Sequence, residues 1–127
     1  MDYTIKNLRE VKDSAAEYGY GEKQESRFPR EDLEMAQTGV GYHRVKPGQR
    51  QPFAHRHADA EEIHVVLAGG GRLKLDDEVI EVAPLDAIRV APGVARAFEA
   101  GDEGLDYLVF GPRHASDMGE MIEDFWD

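Results

Sequence analysis

From residue 33 onward the chain is a succession of short β-like runs with turn residues between them and no helical pattern. The runs span 33–36, 39–46, 52–57, 61–68, 71–75, 78–82, 87–90, 95–100 and 105–110. Pro47-Gly48, Asp76-Asp77, Pro84-Leu85-Asp86, Pro92-Gly93, and Gly101 with Gly104, punctuate them. Strands this short, spaced this regularly, fold into an all-β sandwich or barrel. Gly69-Gly70-Gly71 lacks the Lys-Ser/Thr pair and following helix of a phosphate loop, so it reads as a hairpin turn. With 127 residues there is material for one such domain. It divides into an N-terminal arm (1–32), a barrel (33–112) and a C-terminal tail (113–127). The arm is polar, with Gly19, Gly21 and Pro29 as breakers, and Tyr18, Tyr20 and Phe28 are its expected packing anchors. One short helical turn is expected in the tail, over 118–125.

Alternation assigns side chains to faces, because residues two apart along a strand share a side. In 61–68, Glu62, His64 and Val66 fall on one face, and Ile63, Val65 and Leu67 on the other. That second face is wholly apolar, so the arm, a second sheet or another subunit has to cover it. In 95–100, Arg96 shares a face with Phe98. A guanidinium on an apolar face needs an anionic partner.

Charge narrows the partners. The chain carries 26 acidic and 15 basic residues, a net charge of -11. Nucleic-acid affinity comes mostly from neutralising phosphates with Lys and Arg, so a nucleic-acid partner is excluded as an expectation. No apolar run reaches the roughly 20 residues of a membrane helix, and Met1 to Lys6 lacks the basic and apolar regions of a signal peptide. A cytoplasmic protein with no membrane partner is expected. The absence of cysteine removes disulfides, thiolate metal sites and thiol nucleophiles. Ser14, Ser26 and Ser116 lie outside the expected barrel core, none in a nucleophile context.

Chemistry concentrates in one stretch. His55 and His57 stand two residues apart, so a strand aims both rings to one side. Glu62 follows within a strand length and could reach the same point from a neighbouring antiparallel segment, with His64 on its face. Imidazoles and a carboxylate are ligands for Fe, Mn, Ni or Zn. Glu61 is the alternative carboxylate, but the shared face with His64 favours Glu62. His43 is expected to be structural, and His114, in the polar tail, solvated.

These residues resemble the first motif of the cupins, small jelly-roll β-barrels. The motif is a Gly, then His-x-His, a Glu after three or four more residues, and a Gly after six. Gly48, His55, His57, Glu62 and Gly69 match it, with one extra residue before His55. The second cupin motif is matched at Asp86, Pro92 and Gly93, and the resemblance spans about 39–110. It implies an all-β jelly roll and a homodimer, since cupins commonly associate. It also implies a metal site of three His and one Glu, but Arg96 stands where the third His belongs. An Arg cannot coordinate a cation and brings a positive charge to the place where the ion would sit.

Two function classes follow. One is a small-molecule-binding protein without metal, its pocket built from His55, His57, Glu62, His64, Arg96 and Phe98, with Arg96 anchoring a small ligand, neutral or anionic. The other is a metal-dependent enzyme of oxygenase or isomerase type, with His55, His57 and Glu62 holding one divalent transition metal. Pairing of Arg96 with Glu62 favours the first, because it competes for the oxygens a metal needs.

Overall fold

The computed structural model describes residues 1–112 and 119–127, so His114, Ser116 and Met118 fall outside the described residues. Eight strands are present among them: β1 (Gln24–Arg27), β2 (Thr38–Val45), β3 (Ala54–Arg56), β4 (Glu62–Leu75), β5 (Glu78–Val82), β6 (Ala87–Val90), β7 (Arg96–Pro112) and β8 (Glu120–Ile122). They form one sheet that curls on itself. Among the described residues, no helix is long and apolar enough to cross a membrane.

Two long strands make the curl. The C-terminal half of β7 lies between β2 and the start of β4, and β6 extends that side past β4. The N-terminal half of β7 pairs with the end of β4, which also pairs with β5, and touches β3 at His55–Arg96. β4 and β7 thus run through both walls and bend between them, with register shifts at Val66/Ala68 and Gly69/Gly71. The glycines allow the bend. A Cβ on Gly69, whose φ is +74°, would lie 2.0 Å from the Gly104 carbonyl oxygen, and one on Gly71 would lie 2.0 Å from that of Glu99. Gly69 to Gly71 and Gly101 to Gly104, expected as turns, therefore sit inside continuous strands. The expected strand 33–36 is a run of turns.

The inner surface holds the core: Val45, Val66, Leu73, Val82, Phe98, Ala100, Leu105 and Tyr107. Burying side chains of this size contributes roughly 1.5–3 kcal/mol each, and their shared inward face fixes the register of β2, β4 and β7.

The arm is tied down by a one-turn helix α1 (Ser14–Glu17) and by β1, which joins the sheet at β2. The Asp13 carboxylate caps α1 by accepting from Ala15 N–H at 3.0 Å, and also accepts from Ser26 N–H at 2.9 Å. The buried anchors are Val11 and Ala15, at 2% and 4% exposure, together with Pro29. Tyr18, expected as an anchor, is exposed. Phe28, also expected as an anchor, is 51% exposed and makes only an edge contact with His43, while Tyr20 makes one with Phe53. In the tail, strand β8 replaces the expected helical turn and pairs with β3, after which Asp127 N–H closes a tight turn onto Asp124 C=O.

Candidate functional site

The inward alternation of β4 brings Glu62 and His64 inside the barrel, while β3 supplies His55 and the segment after it His57. β3 pairs with β7 and β8, so Glu62 faces the histidines across the barrel rather than from a strand beside them. His55 Nε2 lies 3.9 Å from Glu62 Oε1, and His57 Nε2 lies 3.6 Å from Glu62 Oε2. The two imidazole rings meet edge to face at 5.3 Å. One ligand atom from each of His55, His57 and Glu62 lies within 4.8 Å of the others, so the trio is close enough to bind a metal. Bonds of about 2.0–2.2 Å would need only a small closure of these groups.

Arg96 enters from β7. It is 1% exposed, and its Nη2 donates to Glu62 Oε1 at 2.5 Å while Nη1 donates to the Val94 carbonyl at 2.8 Å. The anion that the apolar setting of Arg96 demands is therefore Glu62. The pairing is lopsided. Glu62 Oε1 takes the guanidinium, and Oε2 turns towards His57.

His64 is 2% exposed and packs against the rings of Phe98 and Tyr107 at 5.7 and 5.8 Å. Phe98 belongs to the apolar core, so its part in the site is to wall His64. Two nitrogens of this region, His64 Nδ1 and Arg96 Nε, are buried without a hydrogen-bond partner among the described residues.

The electrostatics follow from burial and from Arg96. Burial pushes His64 down to about 3, against the opposing pull of Glu62. It also pushes His55 below the usual histidine range, although Glu62 opposes this too. Burial raises Glu62, but contact with His55 and Arg96 outweighs it and holds the carboxyl at about 2. At neutral pH the site is a carboxylate and a guanidinium between neutral His55 and His64.

A second polar group lies deeper, and sequence reasoning missed it. Ser26 is buried, contrary to its expected place outside the core, and its Oγ lies 3.0 Å from His43 Nδ1. Gln24 Nε2 donates to Ser26 Oγ at 3.2 Å, and Gln51 Nε2 donates to Tyr107 Oη at 2.9 Å. His43 stacks on Tyr107 at 5.0 Å, and burial lowers it to about 4. His43 is structural, as expected. A groove of about 500 Å³ adjoins this group at Gln51 and is also lined by Arg50, Phe53 and Trp126, and none of the six expected pocket residues lines it.

A family model described as "Cupin domain" matches residues 41–111. Solved structures agree on the fold. A cupin protein from Bacteroides fragilis is 22% identical with a TM-score of 0.72, the match covering 98% of this chain and 95% of that one. The polyketide cyclase RemF from Streptomyces resistomycificus is 21% identical with a TM-score of 0.75, over 96% and 85%. A sugar phosphate isomerase of the cupin superfamily from Silicibacter pomeroyi is 21% identical with a TM-score of 0.68, over 98% and 78%. No curated protein matches the chain by sequence.

Proposed function

Because this chain belongs to the cupin domain family, whose fold names no reaction by itself, we propose from its site that it binds a small molecule in a pocket formed by His55, His57, Glu62, His64 and Arg96, without a metal. The observation that carries this reading is the 2.5 Å contact of buried Arg96 with Glu62. A divalent ion bound to Glu62 would lie within about 6 Å of the guanidinium. At an effective dielectric of about 20 that repulsion is on the order of 5 kcal/mol. The unpartnered His64 Nδ1 and Arg96 Nε support a ligand with oxygen atoms to meet them. Glu62 already matches the charge of Arg96, so the ligand is neutral or carries a single negative charge.

A second reading is favoured by one observation: Arg96 donates to Glu62 Oε1, while Oε2 lies 3.6 Å from His57 Nε2. In it, His55, His57 and Glu62 hold Fe, Mn, Ni or Zn, and Arg96 orients the carboxylate through its other oxygen. The metal would supply Lewis acidity towards a ligand oxygen. Arg96 would then hold Glu62 in position, and the neutral imidazole of His55 would keep its lone pair available.

Elemental analysis of protein purified without a polyhistidine tag decides between them. The metal-free reading expects far less than one transition-metal ion per chain. A stoichiometric metal that disappears in His55→Ala would overturn it.

A further inference from the structure

We propose that the pocket continues from Glu62 across a floor of glycines to Phe28, and that its ligand is a small aromatic monocarboxylate whose flat ring lies on that floor. The ligand class rests on the metal-free reading above, in which Arg96 and the histidines take the polar atoms.

β2 and β7 pair without a register shift, so Gly39 stands opposite Gly111 and Gly41 opposite Val109. On β4, His64 pairs with Val109 and Ile63 with Phe110. Alternation then places Gly39, Gly41, Gly111, Glu62 and His64 together on the inner surface. Beside Glu62 that surface is bare backbone over two adjacent strands.

A glycine inside a strand weakens it and marks a bulge, a bend or the close approach of another group. Two of these three serve their own chain. A Cβ on Gly111 would lie 3.1 Å from Glu62 Cγ, so this glycine makes room for the acidic side chain. A Cβ on Gly41 would lie 2.9 Å from His43 Nε2 and 3.3 Å from Phe28 Cε1, so the Phe28 ring reaches over it. Gly39 has no such reason. Among the described residues, only the Gly111 carbonyl oxygen, at 3.6 Å, comes within 4 Å of a Cβ placed there. The space above it is open.

Phe28 bounds the far side. In β1, Ser26 pairs with His43 and Arg27 with Tyr42, so the next residue, Phe28, continues the inward face opposite Gly41. Its ring meets buried His43 edge to face at 5.3 Å, yet the residue stays 51% exposed. From Glu62 over Gly111 to the Phe28 ring over Gly41 is about two strand spacings, roughly 10 Å. That span takes one planar ring bearing a carboxylate. Bare peptide planes and a phenyl ring favour a flat apolar group. One carboxylate also agrees with the charge that Arg96 and Glu62 together admit.

Benzoate, cyclohexanecarboxylate and acetate, titrated into the isotope-labelled full chain and followed by NMR, test this. Benzoate is expected to shift the Gly39, Gly41 and Gly111 amide signals. It should bind at least about fivefold more tightly than cyclohexanecarboxylate, which has the same charge but is not flat. Phe28→Ala should cut the preference for benzoate over acetate by about tenfold, the size of one aromatic contact with its buried area. Gly39→Val should abolish benzoate binding without lowering the melting temperature, since its side chain enters open space on a strand. Tyr18→Ala, which removes an arm aromatic that is 74% exposed, is the control and should change none of these affinities.

Arg96→Met separates this inference from the reading beneath it, and should weaken benzoate and acetate alike. Unchanged binding of both would place the carboxylates elsewhere and overturn the pocket reading itself. With that reading intact, three results overturn the aromatic ligand: benzoate that fails to bind or binds no better than cyclohexanecarboxylate; an unchanged preference for benzoate over acetate in Phe28→Ala; or undiminished benzoate binding by Gly39→Val.

Discussion

Arg96 and Glu62 meet across the barrel, guanidinium Nη2 on carboxylate Oε1 at 2.5 Å, with the arginine 1% exposed and the carboxylate side chain 17% exposed. Neither charge is well solvated, so each depends on the other. Glu62→Gln would leave the guanidinium buried beside a neutral amide, and removing one partner of such a pair costs about 3–5 kcal/mol. Urea denaturation should show a loss near the lower end, since Glu62 keeps some contact with water. A loss under about 1 kcal/mol would mean that solvent, not Glu62, satisfies Arg96.

Acid should weaken the fold from about pH 6.5 downward. His43 is held at about 4 by burial, against about 6.5 for an unfolded histidine. Between these values the unfolded chain binds a proton that the folded chain refuses. Stability is therefore full above about pH 6.5 and falls as pH drops towards 4, by up to a few kcal/mol. Denaturant midpoints at pH 7.5, 6, 5 and 4.5 should show the decline, and His43→Phe should reduce its slope. A flat profile from pH 7.5 to 5 would contradict the neutral, buried state of His43.

The C-terminal segment supports the histidine strand. β3 pairs with β8 at three positions and with β7 at one. Arg56 holds Glu120 at 2.8 and 3.2 Å, and Lys74 Nζ donates to the Phe125 carbonyl. Arg50 and Arg72 lie over the Trp126 ring at 4.9 and 5.6 Å, with Glu99 bridging them. Trp126→Ala is expected to cost about 1–2 kcal/mol in lost cation–π contact and apolar burial. Amide exchange should quicken about tenfold in Ala54–Arg56 and stay unchanged in Thr38–Val45. Unchanged exchange in Ala54–Arg56 would show that β8 does not hold the His pair in place.

Much of this was legible in the chain. The spacing of His55, His57 and Glu62 placed three ligand groups together, and alternation put Arg96 on the face of Phe98, where it needed an anion. The bends were not legible. Gly69 to Gly71 has the composition of a turn, and its requirement is the close passage of the Gly104 and Glu99 carbonyls, which only the folded walls create. Ser26 lies in a charged run, and nothing local marks its contact with His43. β8 is three residues whose partner strand lies more than 60 positions away, so no periodicity announces it. The apolar run Ile63, Val65 and Leu67 declares a face that its own chain leaves partly open, since Leu67 is 42% exposed.

On the metal-free reading the charge of Arg96 keeps a metal off Glu62, and one substitution tests this. Arg96→Met removes the charge and preserves apolar bulk. Calorimetric titration with Mn²⁺ and Zn²⁺ should show the variant binding at least about 100-fold more tightly than the wild type, with the gain abolished by His57→Ala. Equal or weaker binding by Arg96→Met would contradict the metal-free reading and make Arg96 a support of the metal site.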